Sequence, residues 1–147
     1  MKIKTGTWFE VKVRYEQTQE NGLEKMVTET YVYKAADFGE AFDKAIKNMS
    51  TFISGEFGIT AMKIAQYGEV VMQDDRTEEK YYRVKVNFIT LDEKTNKEKK
   101  TACYYLVNAD SVEKARKYAD TILSDSMVDF VIEAVQEAKI IDVIFDD

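Results

Sequence analysis

Seven side chains have the types and spacing of a binding face: Trp8, Lys12, Arg14, Tyr81, Arg83, Lys85 and Tyr105. An extended strand sends alternate side chains to opposite faces. In residues 8–15 that separates Trp8, Glu10, Lys12 and Arg14 from Phe9, Val11, Val13 and Tyr15; in residues 81–88 it separates Tyr81, Arg83, Lys85 and Asn87 from Tyr82, Val84, Val86 and Phe88. Following strands are expected to add Thr28, Thr30 and Val32, with Thr101, Cys103 and Tyr105, to the first face. Aromatics interleaved with cations on an open sheet suit single-stranded nucleic acid. The rings stack on bases, worth roughly 1–3 kcal/mol each, and the cations neutralise phosphates. Lys94, Lys97, Lys99 and Lys100 would extend the basic track, although Asp92, Glu93 and Glu98 offset them. The same alternation is also the ordinary composition of a half-solvated strand. Large aromatics on an open face suit a protein interface equally well.

Other candidate chemistries are thinner. The chain has no histidine, which removes the commonest general base, the usual Ser-His and Cys-His nucleophile pairs and histidine zinc ligands. Cys103, the one cysteine, therefore reads as a small strand residue. Asp74, Asp75, Glu78 and Glu79 in a polar linker, and Asp146 and Asp147 at the C-terminal end, could bind Mg²⁺ or act as acid and base. Their positions instead suit solubility. Gly55 and Gly58 form no phosphate-binding loop, and Tyr31 and Tyr104 read as core aromatics with wet hydroxyls. No catalytic residue, metal site or cofactor is expected.

Composition bounds the rest. The 147 residues are 45% hydrophobic and 12% aromatic, enough for a sizeable core. With 21 basic and 27 acidic residues the net charge is −6, which disfavours unspecific attraction to nucleic acid or anionic membrane. No signal-peptide pattern or membrane span is present, so the expectation is a cytoplasmic protein.

The elements that must position these residues are repeated. Residues 8–71 and 81–144 align without a gap at a shift of 73 positions, with 15 of 64 pairs identical. Each copy reads as strand, strand, helix, strand, followed by a short apolar tail that suits an edge strand. Asn21-Gly22 marks a hairpin turn. Asp37/Glu40 and Asp110/Glu113 have capping-box spacing, Asp standing in for Ser or Thr. The first helix would bury Phe38, Ala41, Phe42, Ala45, Ile46 and Met49, and the second Val112, Ala115, Ala119, Ile122 and Leu123. The expected fold is α+β: a tandem duplication of a ββαβ unit in one domain, 1–147. Residues 72–80 would link the repeats, and a mostly antiparallel sheet would carry both helices on one face with pseudo-twofold symmetry.

Three segments carry a resemblance: W-F-E-V-K-V-R-Y at 8–15, I-S-G-E-F-G-I-T-A-M-K at 53–63, and Y-R-V-K-V-N-F-I-T-L-D-E-K-T-N-K-E-K-K-T-A at 82–102. With them the whole chain resembles DUF4494, a domain-of-unknown-function family of Bacteroidota and their phages. The resemblance implies a bacterial cell or phage-infected host and supplies no functional residues. The expected function is therefore non-enzymatic binding through the open sheet face, to a protein partner or in a homo-oligomer. Single-stranded nucleic acid is the alternative ligand of that face, and no membrane is expected.

Overall fold

A computed structural model describes residues 1–145; Asp146 and Asp147, the last carboxylate pair singled out above, lie outside the described residues. The element order is β1 (Lys2–Thr5), β2 (Trp8–Thr18), β3 (Glu24–Lys34), α1 (Phe38–Phe52), β4 (Phe57–Ile64), β5 (Glu69–Met72), β6 (Lys80–Leu91), β7 (Glu98–Ala109), α2 (Val112–Leu123), β8 (Asp129–Ala138) and β9 (Asp142–Ile144). This is a mixed α+β protein. The strands form two sheets and not one, in the orders β1-β5-β7-β6-β8 and β4-β2-β3-β9, antiparallel apart from the β5–β7 and β3–β9 pairs. Each sheet carries its own helix, which replaces the expected single sheet with two helices on one face.

The chain divides into two compact units. One comprises Met1–Thr5 and Gln66–Lys139, the other Gly6–Ala65 and Ile140–Asp147. Their limits do not coincide with the sequence repeats. β5 follows β4 in the chain but is a strand of the β6–β7–β8 sheet, and β9 follows β8 but pairs with β3. The apolar tails are therefore strands, as expected, each completing the sheet built from the other sequence repeat. β5 lies between β1 and β7, so it is not an edge.

Alternation places the cores where the pattern requires. In the unit holding β2, Phe9, Val11, Val13, Tyr33 and Ala35 pack against Ala41, Ala45 and Met49 of α1. In the other, Tyr82, Val84, Val86, Tyr105, Val107 and Ala109 pack against Ala115, Ala119 and Leu123 of α2. Burying a large aliphatic side chain contributes about 1.5–3 kcal/mol, so these two layers hold most of the stability.

The ungapped shift of 73 fails in the middle of each unit. β2 and β6 keep it, and both meet their neighbour strand through a bulge, between Lys12 and Val13 in one and Lys85 and Val86 in the other. The first hairpin loop spans residues 19–23, with Gly22 at φ +84°, and the second spans 92–97, with Asn96 at φ +57°. The second is one residue longer. Val11 accordingly faces Tyr31, whereas Val84 faces Tyr105 and not Tyr104. A one-residue slip moves every side chain of a strand to the other face, so Tyr105 and not Tyr104 occupies the place of Tyr31.

The slip persists into the helices. Asp37 caps α1 as expected, accepting from the Glu40 N–H at 2.8 Å. The cap of α2 is Ser111, accepting from the Lys114 N–H at 3.1 Å, and not Asp110. Asp110 instead accepts from the Glu79 N–H at 2.9 Å and ties down the segment before β6. Ser111→Ala is expected to cost about 1 kcal/mol, read as a lower urea midpoint at unchanged slope. An unchanged midpoint would return the cap to Asp110.

Candidate interaction surface

The sheet faces turned away from the helices are built from the residues the sequence selected, but their aromatic ends are closed. Trp8 is 0% exposed and Tyr81 4%. The Trp8 ring meets Phe145 edge-on, centroids 6.3 Å apart, and its carbonyl accepts from the Ala65 N–H at 2.8 Å. Tyr105, 8% exposed, sits on the opposite face, in the α2 core. Thr101 and Cys103 turn the same way, facing Phe88 and Val86, because of the one-residue slip. The seven candidates are thus not brought together as one exposed face.

The cations are the accessible part. Lys12 and Arg14 are exposed on β2, and Arg83 and Lys85 are half-buried on β6. Carboxylates stand among them: Glu133 lies 3.5 Å from the Lys85 ammonium and accepts from the Asn87 amide, and Glu10 lies 3.4 Å from Lys63. Lys94, Lys97, Lys99 and Lys100 are exposed around the second hairpin loop.

Linker carboxylates serve structure. Glu78 accepts from the Tyr118 hydroxyl at 2.7 Å and pairs with Lys114 at 3.4 Å. The Glu78 bond pushes the Tyr118 phenol up to about 12. The Glu79 N–H, then Glu78, hold Asp110 below the usual carboxylate range. Tyr15 is pushed up to about 12 by burial and by Glu29, which accepts its hydroxyl hydrogen at 2.7 Å. Tyr31 gives its hydroxyl hydrogen to the same carboxylate at 3.1 Å and packs partly buried against the α1 core, whereas Tyr104, paired with Lys85, lies half-buried on the open face and not in the core. Among the described residues no group of three or more His, Cys, Asp or Glu could hold a metal ion. An open hollow of about 480 Å³ beside the first hairpin is lined by Glu16, Glu24 and Glu56 with no cation. A hydrogen bond to Glu24 raises the Glu16 carboxyl there.

Sequence reasoning missed an apolar surface on the β2–β4 unit. Phe38, Phe42, Ile46 and Ile64 are all exposed, Phe42 by 44% and Ile64 by 55%. At 3.6 residues per turn, residues two apart lie on nearly opposite sides of a helix. Lys44 and Asn48 reach β3, donating to the Lys34 carbonyl at 2.8 Å and accepting from the Tyr33 hydroxyl at 2.8 Å. Phe42 and Ile46 therefore turn toward β4. Phe38 packs edge-on against Phe9 at 5.0 Å, and Phe9 is the cross-strand partner of Ile64. The result is an exposed apolar strip where the β4-facing side of α1 meets the edge strand β4, called the groove below.

The other unit lacks it. Counted from their caps, Phe38, Phe42 and Ile46 correspond to Val112, Arg116 and Asp120, and through the strand registers Ile64 corresponds to Glu137. The available signal was the breadth of the apolar arc of α1. From Ala41 round to Ile46 it covers about 140°, more than the buried Ala41, Ala45 and Met49 stripe uses.

The architecture is thus that of a mixed α+β protein with two helix-backed sheets and an apolar groove on one of them. The model of the family "Domain of unknown function (DUF4494)" matches residues 7–146, and the chain belongs to that family. No curated protein and no solved structure is detectably similar. Among the described residues, no helix is long and apolar enough to cross a membrane.

Proposed function

We propose that this protein is a non-enzymatic binding protein that docks another protein surface, as partner or second copy, in the groove between α1 and β4. The observation that carries this reading is the exposed Phe38, Phe42, Ile46 and Ile64 cluster, set against Arg116, Asp120 and Glu137 at three of the four matching positions in the other unit. Contiguous exposed apolar surface on a compact protein marks contact sites. The buried Trp8 and Tyr81 move the proposed site from the open sheet face to this groove. The absence of histidine agrees with a binding role, and a cytoplasmic setting in a bacterial or phage-infected cell goes with it. The two units are read as a tandem duplication with pseudo-twofold symmetry whose copies have diverged at this groove. That reading is supported by the matching bulges and by core identities at a shift of 74, Tyr31/Tyr105, Ala35/Ala109, Ala41/Ala115 and Ala45/Ala119.

Single-stranded nucleic acid, the alternative ligand, retains the exposed Lys12 and Arg14 but loses the selected rings, Trp8 and Tyr81 to burial and Tyr105 to the α2 core. Cross-linking in the expressing cell, mapped by mass spectrometry, tests the choice. Intermolecular links to protein are expected at Lys63, on the edge strand β4, and are expected to disappear in Phe42→Asp. Links elsewhere only, or links indifferent to Phe42→Asp, would reject the reading. A low-salt oligonucleotide shift lost in Lys12→Ala/Arg14→Ala would favour nucleic acid.

A further inference from the structure

We infer that the occupant of the groove is a second copy of this chain, paired antiparallel through β4. The inference rests on the binding reading above and names its partner.

β4 is the outer strand of its sheet, so one side of its backbone has no strand neighbour. Proteins usually protect such an edge with charge. β8, the outer strand at one end of the other sheet, follows that rule with Asp129, Glu133 and Glu137. β4, F-G-I-T-A-M-K-I, has only Lys63.

The pattern along β4 is self-complementary. Val13 pairs with Ile59 and Lys12 with Ala61, so the bulge adds Thr60 between them. On either side of the bulge, Phe57 and Ile59, then Met62 and Ile64, face α1 through pairing with Tyr15, Val13, Val11 and Phe9. In one antiparallel register all four meet apolar partners: Phe57 opposite Ile64 of the second copy, and Ile59 opposite Met62. Cross-strand pairs of this kind are the unit of sheet stabilisation. A shift of two residues keeps Phe57 against Met62 in one direction and Ile59 against Ile64 in the other, and so leaves two of the four apolar residues unmatched either way.

Charge and space agree with the same register. On the far face, Lys63 falls opposite Gly58 of the second copy, where an added Cβ would meet nothing within 4 Å. Lys63 is then diagonal to Glu56 of that copy, within reach of a long side chain. Glu56 belongs to the hollow that gathers Glu16 and Glu24 without a cation, so an arriving lysine offsets like-charge crowding at each end. An antiparallel edge pair has its twofold axis perpendicular to the sheet. Both α1 helices then lie on one side, with Phe42 and Ile46 of each turned toward the seam.

Light scattering coupled to size exclusion reads the outcome. The wild type is expected at twice the 17.0 kDa chain mass. Ile64→Lys, at an exposed position, is expected to return it to one chain mass with unchanged circular dichroism. Val131→Lys, equally exposed on β8, is expected to leave the dimer intact. The register brings Ala61 and its copy together beside the twofold axis, within the roughly 4.4–6.8 Å Cα separation a disulfide needs. Ala61→Cys in a Cys103→Ser background is therefore expected to cross-link the dimer on mild oxidation. A monomer at high micromolar concentration, a dimer that Ile64→Lys leaves intact, or one that Ala61→Cys does not cross-link overturns the proposal. The two readings fail separately. A monomer whose Lys63 still links to a different protein in cells overturns the second copy and keeps the binding role, whereas loss of that link removes both.

Discussion

Trp8→Ala is expected to cost about 3–5 kcal/mol of stability, whereas Lys12→Ala, on the same face of β2, is expected to stay within about 0.5 kcal/mol. The difference follows from burial. Trp8 is fully enclosed, its ring edge-on to Phe145, while Lys12 is exposed. Removing the indole forfeits its transfer free energy and leaves a cavity that the surrounding strands can fill only partly. Urea denaturation followed by far-ultraviolet circular dichroism measures both variants. A Trp8→Ala midpoint close to the parent would mean that the ring is a surface group after all. The contrast also bears on ligand choice. A tryptophan with no exposed surface has no ring to offer a base, so its emission is expected to ignore an oligonucleotide at any concentration that leaves the fold intact.

Alternation alone places Trp8 on the open face of β2 with Lys12 and Arg14. Period-2 alternation fixes which side chains share a face, and it did so correctly: Phe9, Val11 and Val13 all face α1. It does not say what covers the other face. Glu10, Lys12 and Arg14 made that face look solvated, yet its burial changes along the strand, with Trp8 and Glu10 buried and Lys12 and Arg14 exposed. A strand can be two-sided at one end and one-sided at the other. Pattern length, not pattern type, was too short to report this.

The fold itself was legible to the level of single elements. Both helices, both hairpins and the strands after the helices fall where periodicity and Asn21-Gly22 place them, although Ser111 and not Asp110 caps α2. Register was the weak link. An ungapped alignment pairs Tyr31 with Tyr104 and Asp37 with Asp110, which are attractive identities, and conceals a one-residue difference between hairpin loops. The core identities Tyr31/Tyr105, Ala35/Ala109, Ala41/Ala115 and Ala45/Ala119 were present at a shift of 74. Small buried residues at helix–sheet contacts are a stronger guide than polar residues at caps, because a slip there puts the wrong face inside. The groove was hidden by the same averaging: Phe38, Phe42 and Ile46 fit a core stripe, and only the charged Arg116 and Asp120 at matching positions reveal that the sheet does not need them.

Val143→Asp is expected to destabilise the protein by on the order of 4 kcal/mol, and the place where it acts distinguishes the compact units from the repeats. Val143 is 1% exposed in β9 and pairs in parallel with the fully buried Val32 of β3. The substitution loses roughly 1.5–3 kcal/mol of apolar burial and leaves a carboxylate without water or a cation. In the chain, β9 follows directly on β8, so the repeats assign it to residues 81–144. The sheet assigns it to β3. Native-state hydrogen exchange resolves the two, since local opening deprotects the cooperative unit that has lost stability. Val143→Asp is expected to expose the amides of β2, β3 and β4 first. Val70→Asp, the matching change in β5 beside Leu106 of β7, is expected to expose β6, β7 and β8 first. If each substitution instead deprotects the strands that precede it in sequence, the last strand of each repeat belongs to its own copy. If the effects cross over, each repeat depends on the other's final strand, and neither copy would be complete if expressed alone.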